Sequence, residues 1–310
     1  MKVVVIGAGA WGQNICKTLK SLGALAAIVD ADEARRATLT ETFEVPVYGS
    51  WDEVPAGTAE AVAIATPAPA HYEVALQTLR AGLPTFVEKP VTLSAREAEH
   101  LADEAEKAGV TLMVGHLLLF QPAAAFLKEQ IENGSLGELR SIHVRRASLG
   151  RARNVENVLW SLGVHDVAVV LNLIGAEPTQ VLATGDAFLN PGIEDDTHVH
   201  MTFPGGVKAH IHNSWLWPTR ERSTLVIGSK GMLFYDEIAQ TVTRHKKWID
   251  ANLANQDEGE ELAFEGAAAP LTLEMEEFLR CAATGEASRS SGRSAITVVR
   301  VLEDASKLLS

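Results

Sequence analysis

The stretch "TFVEKPVTLS" (85–94) holds the first residues able to do chemistry. Thr85, Phe86 and Val87 read as the end of a buried strand, and Glu88, Lys89 and Pro90 follow directly. Charges at such a spot cost free energy unless they are paired or used. A lysine ammonium fixed there can hydrogen-bond a substrate hydroxyl and, as a cation, favour the alkoxide that precedes hydride departure. A plain surface ion pair is the competing reading of Glu88 with Lys89. The second candidate is "GAGAWG": Gly7, Gly9, Ala10, Trp11 and Gly12 follow one β-branched run and open a helical pattern. This is the spacing in which a tight turn aims backbone N–H groups and a helix N-terminus at a pyrophosphate. The next apolar run ends at Asp30, an acid placed to accept from adenosine ribose hydroxyls and to repel a 2′-phosphate, which favours NAD over NADP. Arg35 and Arg36, close by, are the cations that would accommodate that phosphate. A glycine-rich structural turn with Asp30 as a helix cap fits the same residues. In "AIATPAPAH" (63–71), Thr66, Pro67 and His71 stand where a further strand ends and line the cofactor cleft; His71 reads equally as a helix-start residue.

These residues need a scaffold that brings strand ends to one edge. Over the first 115 residues, short apolar runs ("KVVVIG", "LAAIVD", "EAVAIAT", "PTFVE", "VTLMVG") alternate with helical patterns that end in glycine. That rhythm predicts an α/β fold whose N-terminal part is a Rossmann domain, a doubly wound parallel sheet. From about residue 120 the pattern changes to extended segments joined by glycine-containing turns, interrupted by an apolar helix near 163–174. A C-terminal α+β domain with an open, mostly antiparallel sheet is expected. The boundaries are 1–119 for the dinucleotide-binding domain and 120–310 for substrate binding and oligomerisation, with the amphipathic last helix packing back on the first domain. "ANLANQDEGEEL" (251–262) reads as a mobile polar loop.

Composition narrows the function classes. A net charge of -13 without a block of Lys and Arg argues against nucleic acid as a partner. The glycines in "MKVVVIGAGAWG" break the uninterrupted apolar core of a signal peptide, and no run reaches eighteen uncharged apolar residues, so no membrane contact and a cytoplasmic location are expected. Cys16 and Cys281 stand far apart without metal-ligand spacing and read as reduced packing residues; no metal site is expected.

"GAGAWG", "AIATPAPAH" and above all "EKP" before a new helix resemble the family of glucose-fructose oxidoreductase, inositol dehydrogenase and MocA, which are NAD(P)-dependent sugar oxidoreductases. The resemblance spans nearly the whole chain. It implies that Lys89 is the active-site lysine held by Pro90, with Glu88 near the nicotinamide. In "LWSLGVHDVAVVLNLIG" (159–175), His165 falls on the family's catalytic histidine, and its ordinary pKa of about 6.5 suits proton exchange near neutrality. Ser161 stands where the family carries an Asp, and Asp166 follows the histidine, which puts a relay through the usual acid in question.

Two stretches, "MVGHLLLFQPA" (113–123) and "ASLGRARNVENVLWSLGVHD" (147–166), are similar to the branch that oxidises nucleotide-linked amino sugars, which implies UDP-N-acetylglucosamine as the substrate. Leu119 departs from the Arg usual in the first. The implied substrate contacts are His116, Arg151, Arg153, Asn154, Asn157, Ser161 and Asp166; the arginines and asparagines offer the planar donors that a diphosphate and sugar hydroxyls require. A solvated turn or a subunit contact would use the same loop residues. The family also implies pairing of the open sheets across subunits, hence a homodimer or homotetramer. A dehydrogenase of another sugar or cyclitol would keep Lys89 and His165 without a diphosphate site, and a non-catalytic NAD(P)-binding regulator would need neither.

Overall fold

The structure is a computed structural model that describes residues 1–150, 152–266 and 269–309. It divides into two compact units, Met1–Leu117 with Ala269–Val299 and Leu118–Ala268 with Arg300–Ser310.

The first unit is built on the expected βα alternation: β1 (Val3–Ile6), α1 (Gly12–Ser21), β2 (Leu25–Val29), α2 (Glu33–Phe43), β3 (Val47–Tyr48), β4 (Ala61–Ile64), α3 (His71–Arg80), β5 (Thr85–Glu88), α4 (Ala95–Ala108) and β6 (Leu112–Gly115). The strands form one parallel sheet in the order β3-β2-β1-β4-β5-β6. Strands β1, β4, β5 and β6 are buried along their whole length, as parallel strands covered on both faces must be. The order reverses beside β1, and in such sheets ligands bind beyond the carboxyl ends of the strands at that switch point. Gly7, Thr66 and Lys89 all lie just past those ends.

The second unit runs α5 (Pro122–Glu132), β7 (Leu139–Leu149), α6 (Val164–Ile174), β8 (Gln180–Asp186), β9 (Asp196–Thr202), β10 (Lys208–Ser214), β11 (Leu216–Gly228), β12 (Met232–Asp236), β13 (Thr241–Ile249) and β14 (Asn255–Glu265). Its eight strands lie in the order β14-β13-β12-β11-β7-β10-β9-β8, antiparallel except for β10 beside β7. Val199, Met201, Ala209, Ile211, Ile142 and Val144 point inward and are buried, while the residues between them point out.

Two expectations need correction. The polar stretch 251–262 is not a loop: from Asn255 it forms edge strand β14, paired with β13. Charge pairs across the ladder, Arg244–Glu261, His245–Glu260 and Lys247–Asp257, replace the apolar alternation by which a strand is usually recognised, and charges suit an edge that must not recruit further strands. The second correction concerns α7, since of 120–310 only the last helix is expected to pack back on the first domain. The helices α7 (Pro270–Thr284) and the start of α8 (Gly292–Leu309) belong to the first unit. Helix α7 buries Met275, Phe278 and Cys281; Phe278 packs its ring 5.7 Å from Phe86 of β5, and Thr111 donates to the Cys281 carbonyl at 3.1 Å. Ser290 donates to the Val114 carbonyl at 2.6 Å, and Arg293 pairs with Asp103 and Glu106. From Arg300, α8 counts with the second unit. Both cysteines are buried and free, and burial pushes Cys16 up to about 12.

Candidate active site

In the first unit the glycines of the opening turn divide by role. Gly7 sits at φ +90°, and a Cβ there would come within 2.7 Å of the Thr66 nitrogen. A Cβ on Gly12 would overlap the Gly7 carbonyl oxygen, so these two glycines are demanded by the fold of the turn. Gly9 differs. No heavy atom lies within 4 Å of its Cβ position, so its backbone faces open space of the kind a pyrophosphate occupies. Helix α1 starts after Trp11 without a side-chain cap, which leaves the N–H groups of its first turn to a ligand or solvent. Past β4, the Thr66 hydroxyl is buried with no hydrogen-bond partner among the described residues, another group awaiting a ligand.

Asp30 is 4% exposed and more engaged than the sequence suggested. Its carboxylate accepts from the Ala8 N–H (2.8 Å), the Asp32 N–H (2.9 Å) and Arg35 Nη1 (2.9 and 3.0 Å). Burial works against the charge, but these donors outweigh it and hold Asp30 below the usual carboxylate range. Arg36 donates to the Asp30 and Ala31 carbonyls at 3.2 Å. His71 is a different case from the cofactor contact expected of it. It is buried, its Nδ1 lies 2.7 Å from the Pro90 carbonyl and its Nε2 2.7 Å from that of Thr66. No ring nitrogen remains for a ligand, and His71 instead ties the ends of β4 and β5 together. Pro67 is exposed ahead of a short 3₁₀ turn, Ala68–Ala70.

Glu88 is buried and accepts from the Trp11 indole N–H at 2.5 Å and the Lys89 N–H at 3.1 Å. Burial pushes its carboxyl up, against the pull of those donors and of the Lys89 charge. Lys89 is half-buried and its peptide bond to Pro90 is cis. His116, past the end of β6, is 3% exposed, and neither ring nitrogen has a hydrogen-bond partner among the described residues. Burial, and after it the Lys89 charge, pushes His116 down to about 3, so it is neutral at physiological pH. The sequence reading missed Glu274 on α7, which is fully buried with neither oxygen hydrogen-bonded among the described residues. Burial first, then the neighbouring Glu88 and Glu277, raise it well above the ordinary glutamate value, which favours the protonated form. Its signal was in the spacing: Leu271, Glu274, Met275 and Phe278 form one helical stripe, with an acid among apolar residues.

In the second unit a single π-turn, Leu159–Gly163, leads into α6, and half-buried His165 sits on the first turn of that helix. Such turns concentrate at functional positions. Asp166 corrects an expected substrate contact. It is fully buried and accepts from Arg146 Nε at 2.8 Å and Asn213 Nδ2 at 2.6 Å. Arg146 continues to Glu237 (2.7 and 3.0 Å), which also receives Arg222 at 3.3 Å. Burial works to raise Glu237, but Arg146 holds it below its ordinary value; for Asp166 burial prevails and pushes the carboxyl up against the same guanidinium. The network anchors the turn that carries His165. Asn157 is used internally too, donating to Glu194 at 2.6 Å and accepting from the Trp160 N–H at 3.1 Å. Ser161 is buried and donates to the Val158 carbonyl at 3.3 Å. Arg153 pairs with Glu156 at 2.6 Å, Asn154 is exposed, and Arg151 lies outside the described residues.

In the first unit a glycine cradle, an acid after β2 and a lysine after β5 stand at the carboxyl edge of the parallel sheet, the place a dinucleotide takes in such sheets. Two family profiles match in sequence order: the oxidoreductase family NAD-binding Rossmann fold over residues 1–116 and the GFO/IDH/MocA C-terminal domain over 125–234. The chain belongs to the Gfo/Idh/MocA family of oxidoreductases. Its cofactor is NAD, which the cradle, the orphaned Thr66 hydroxyl and Asp30 fit. The chain is similar to the UDP-N-acetylglucosamine 3-dehydrogenase of Acidithiobacillus ferrooxidans, 29% identical over 68% of this chain and 66% of the relative. A myo-inositol dehydrogenase of Streptomyces leeuwenhoekii is 33% identical over 63% of this chain and 62% of the relative. The matches thus span just under two thirds of each of these relatives. In fold, a structure of the Acidithiobacillus enzyme superposes with a TM-score of 0.89 at 24% identity, covering 100% of this chain and 97% of that one. An oxidoreductase of Agrobacterium radiobacter solved with NAD+ superposes at 0.84 with 20% identity, covering 99% of this chain and 97% of that one. Among the described residues no helix is long and apolar enough to cross a membrane.

Proposed function

We propose that this oxidoreductase uses NAD to oxidise the 3-hydroxyl of UDP-N-acetylglucosamine to the 3-keto sugar. The observation that carries the reading is Lys89, a cation placed just past the end of buried β5, on the same sheet edge as Gly9 and Thr66. The similarity to a UDP-N-acetylglucosamine 3-dehydrogenase supports the choice of sugar. NAD, when bound, supplies the hydride acceptor. Lys89 donates a hydrogen bond to the reacting hydroxyl and stabilises the negative charge that develops on its oxygen. His165 takes the hydroxyl proton. Asp166 positions the turn that carries His165 and does not itself touch substrate. Arg153 and Asn154, with Arg151, are proposed to receive the diphosphate and sugar hydroxyls. Oxidation of an alcohol by NAD runs uphill near neutral pH, so an aminotransferase of amino-sugar or lipid A biosynthesis is proposed to draw off the ketone.

The test is NADH formation from a panel of UDP-sugars, free sugars and cyclitols, with a coupled aminotransferase present. UDP-N-acetylglucosamine should give NADH, and Lys89→Ala or His165→Ala should lower turnover by roughly 100-fold while NAD still binds. Wild-type turnover in either variant would remove the assigned role. A second reading, a cyclitol or free-sugar dehydrogenase, is favoured by the engagement of Asn157 and Asp166 within the protein, which thins the expected diphosphate site, and by the myo-inositol dehydrogenase relative. NADH from such a compound and none from UDP-sugars would select it. We also propose a cytoplasmic homodimer or homotetramer assembled through the outer sheet face, where Leu182, Leu225, Phe234 and Leu262 lie. A monomer in sedimentation at micromolar concentration would exclude that assembly, and recovery of the native protein in the membrane fraction would exclude the location.

A further inference from the structure

Five of the chain's ten histidines gather on the outer face of the second sheet. The register of the β9–β10 hairpin sets His198 directly opposite His212 and His200 opposite His210, and β7 brings His143 alongside His210. With a side-chain period of two, "HVH" on one strand and "HIH" on the other put four imidazoles on one face, while Val199 and Ile211 between them enter the core. The sequence reading passed over this because neither pair means much until the ladder aligns them.

Within the cluster one group converges. The His198 and His212 rings stack at 4.2 Å with 7° between their planes. Nε2 of His212 lies 3.2 and 3.3 Å from the two Asp196 carboxylate oxygens, and Nε2 of His198 lies 3.6 Å from the nearer of them. One ligand atom from each of the three residues falls within 4.8 Å of the others. Metal–nitrogen and metal–oxygen bonds are about 2.0–2.2 Å, so ligands of one ion stand roughly 3.4 Å apart, and a small rotation of exposed His198 brings the set to that spacing. The cation facing the group, Arg145, is engaged at 3.0 Å by Glu221 and lies over the Trp217 ring at 5.3 Å. The depression over these residues holds about 370 Å³, room for an ion and its waters.

We propose that Asp196, His198 and His212 form a binding site for one divalent transition-metal ion of the zinc, cobalt and nickel class, with water in the remaining positions. Two imidazoles and a single carboxylate match the preferences of those ions, whereas magnesium and calcium want an all-oxygen shell. The site lies on the outer sheet face proposed for subunit assembly, so an ion there would sit at that interface, and it is independent of the proposed dehydrogenase reaction.

The test is titration of tag-free, chelator-stripped full-length protein with cobalt(II), followed by visible absorption, and with zinc(II), followed by calorimetry. One ion per chain should bind at micromolar or tighter affinity, and zinc should displace cobalt with loss of the absorption bands. His198→Gln and Asp196→Asn should each weaken binding at least tenfold, and His198→Gln combined with His212→Gln should abolish it. His200→Gln with His210→Gln should leave it within about threefold. His198 is 47% exposed, so its single substitution keeps the test open if the double variant does not fold. Binding that survives His198→Gln, follows the His200–His210 pair instead, or needs millimolar metal overturns the proposal.

Discussion

Two sets of buried polar groups, one in each unit, are handled in different ways. At the base of α6, Asp166, Arg146 and Glu237 are joined by charge-assisted bonds and Asn213 donates to Asp166, leaving the Asn213 Oδ1 as the one atom of these four side chains without a hydrogen-bond partner among the described residues. At the strand ends of the first unit, the Thr66 hydroxyl, both His116 nitrogens and both Glu274 oxygens have no hydrogen-bond partner among the described residues. Charge-assisted networks rigidify what they touch, whereas an unsatisfied buried group costs about 1–3 kcal/mol and persists where a ligand or a retained proton answers it. The first arrangement holds a turn in place, and the second is the one on which the proposed chemistry would draw.

Breaking the network at the base of α6 should have the largest effect. Asp166→Ala leaves Arg146 half-paired in the interior and should destabilise the protein by about 3–5 kcal/mol in denaturant titrations, with NAD affinity intact in whatever remains folded. A loss below about 1 kcal/mol would erase the distinction between the two regions. The glycine turn offers a contrast of the next size. Gly12→Ala forces a Cβ into the Gly7 carbonyl and should destabilise by about 1–3 kcal/mol, whereas Gly9→Ala meets nothing in the protein and should leave stability unchanged while weakening NAD binding in a fluorescence titration.

Glu274 sharpens the comparison through pH. Its native value is raised above the ordinary 4.5, so between that value and the raised one the native state holds a proton that the unfolded state has released. Stability therefore falls as pH rises through this window, and the contribution is most favourable below it. Glu274→Met should stabilise by about 1 kcal/mol, with a larger gain at pH 8 than at pH 5. Equal gains at both pH values would show that the carboxyl is not held protonated. The smallest effect is expected of Thr66→Val, which removes a hydroxyl that has no protein partner: stability within about 0.5 kcal/mol of wild type, and NAD affinity lower by about 0.5–1.5 kcal/mol if the hydroxyl serves the cofactor.

What could be read before folding followed the range of the interaction. The glycine turn, the acid ending β2 and the charges ending β5 are local patterns, and the alternation of strands and helices around them was legible for the same reason. His165 required a comparison of whole motifs, because nothing local distinguishes it from a histidine that begins any helix. The side-chain partners of Asp166 and the Glu194 partner of Asn157 lie 20 to 47 residues away, and only the folded register shows that both are spent inside the protein. Strand β14 escaped because its pairing depends on charges in β13, and α7 because its apolar stripe finds Phe86 across most of the chain.

The clamp between Arg35 and Asp30 bears on how easily coenzyme choice could drift. The residue that repels a 2′-phosphate is also the one that occupies the guanidinium best placed to attract it. Replacing Asp30 with Ala would lift the repulsion and leave Arg35 held by Asp32 alone, so greater tolerance of NADP lies a single codon away rather than at the end of a series of changes. Titration of Asp30→Ala should show NADP binding tighter than in the parent and the gap to NAD narrowed. A lineage under pressure to change its supply of reducing equivalents would already carry the second half of the switch, masked by a salt bridge.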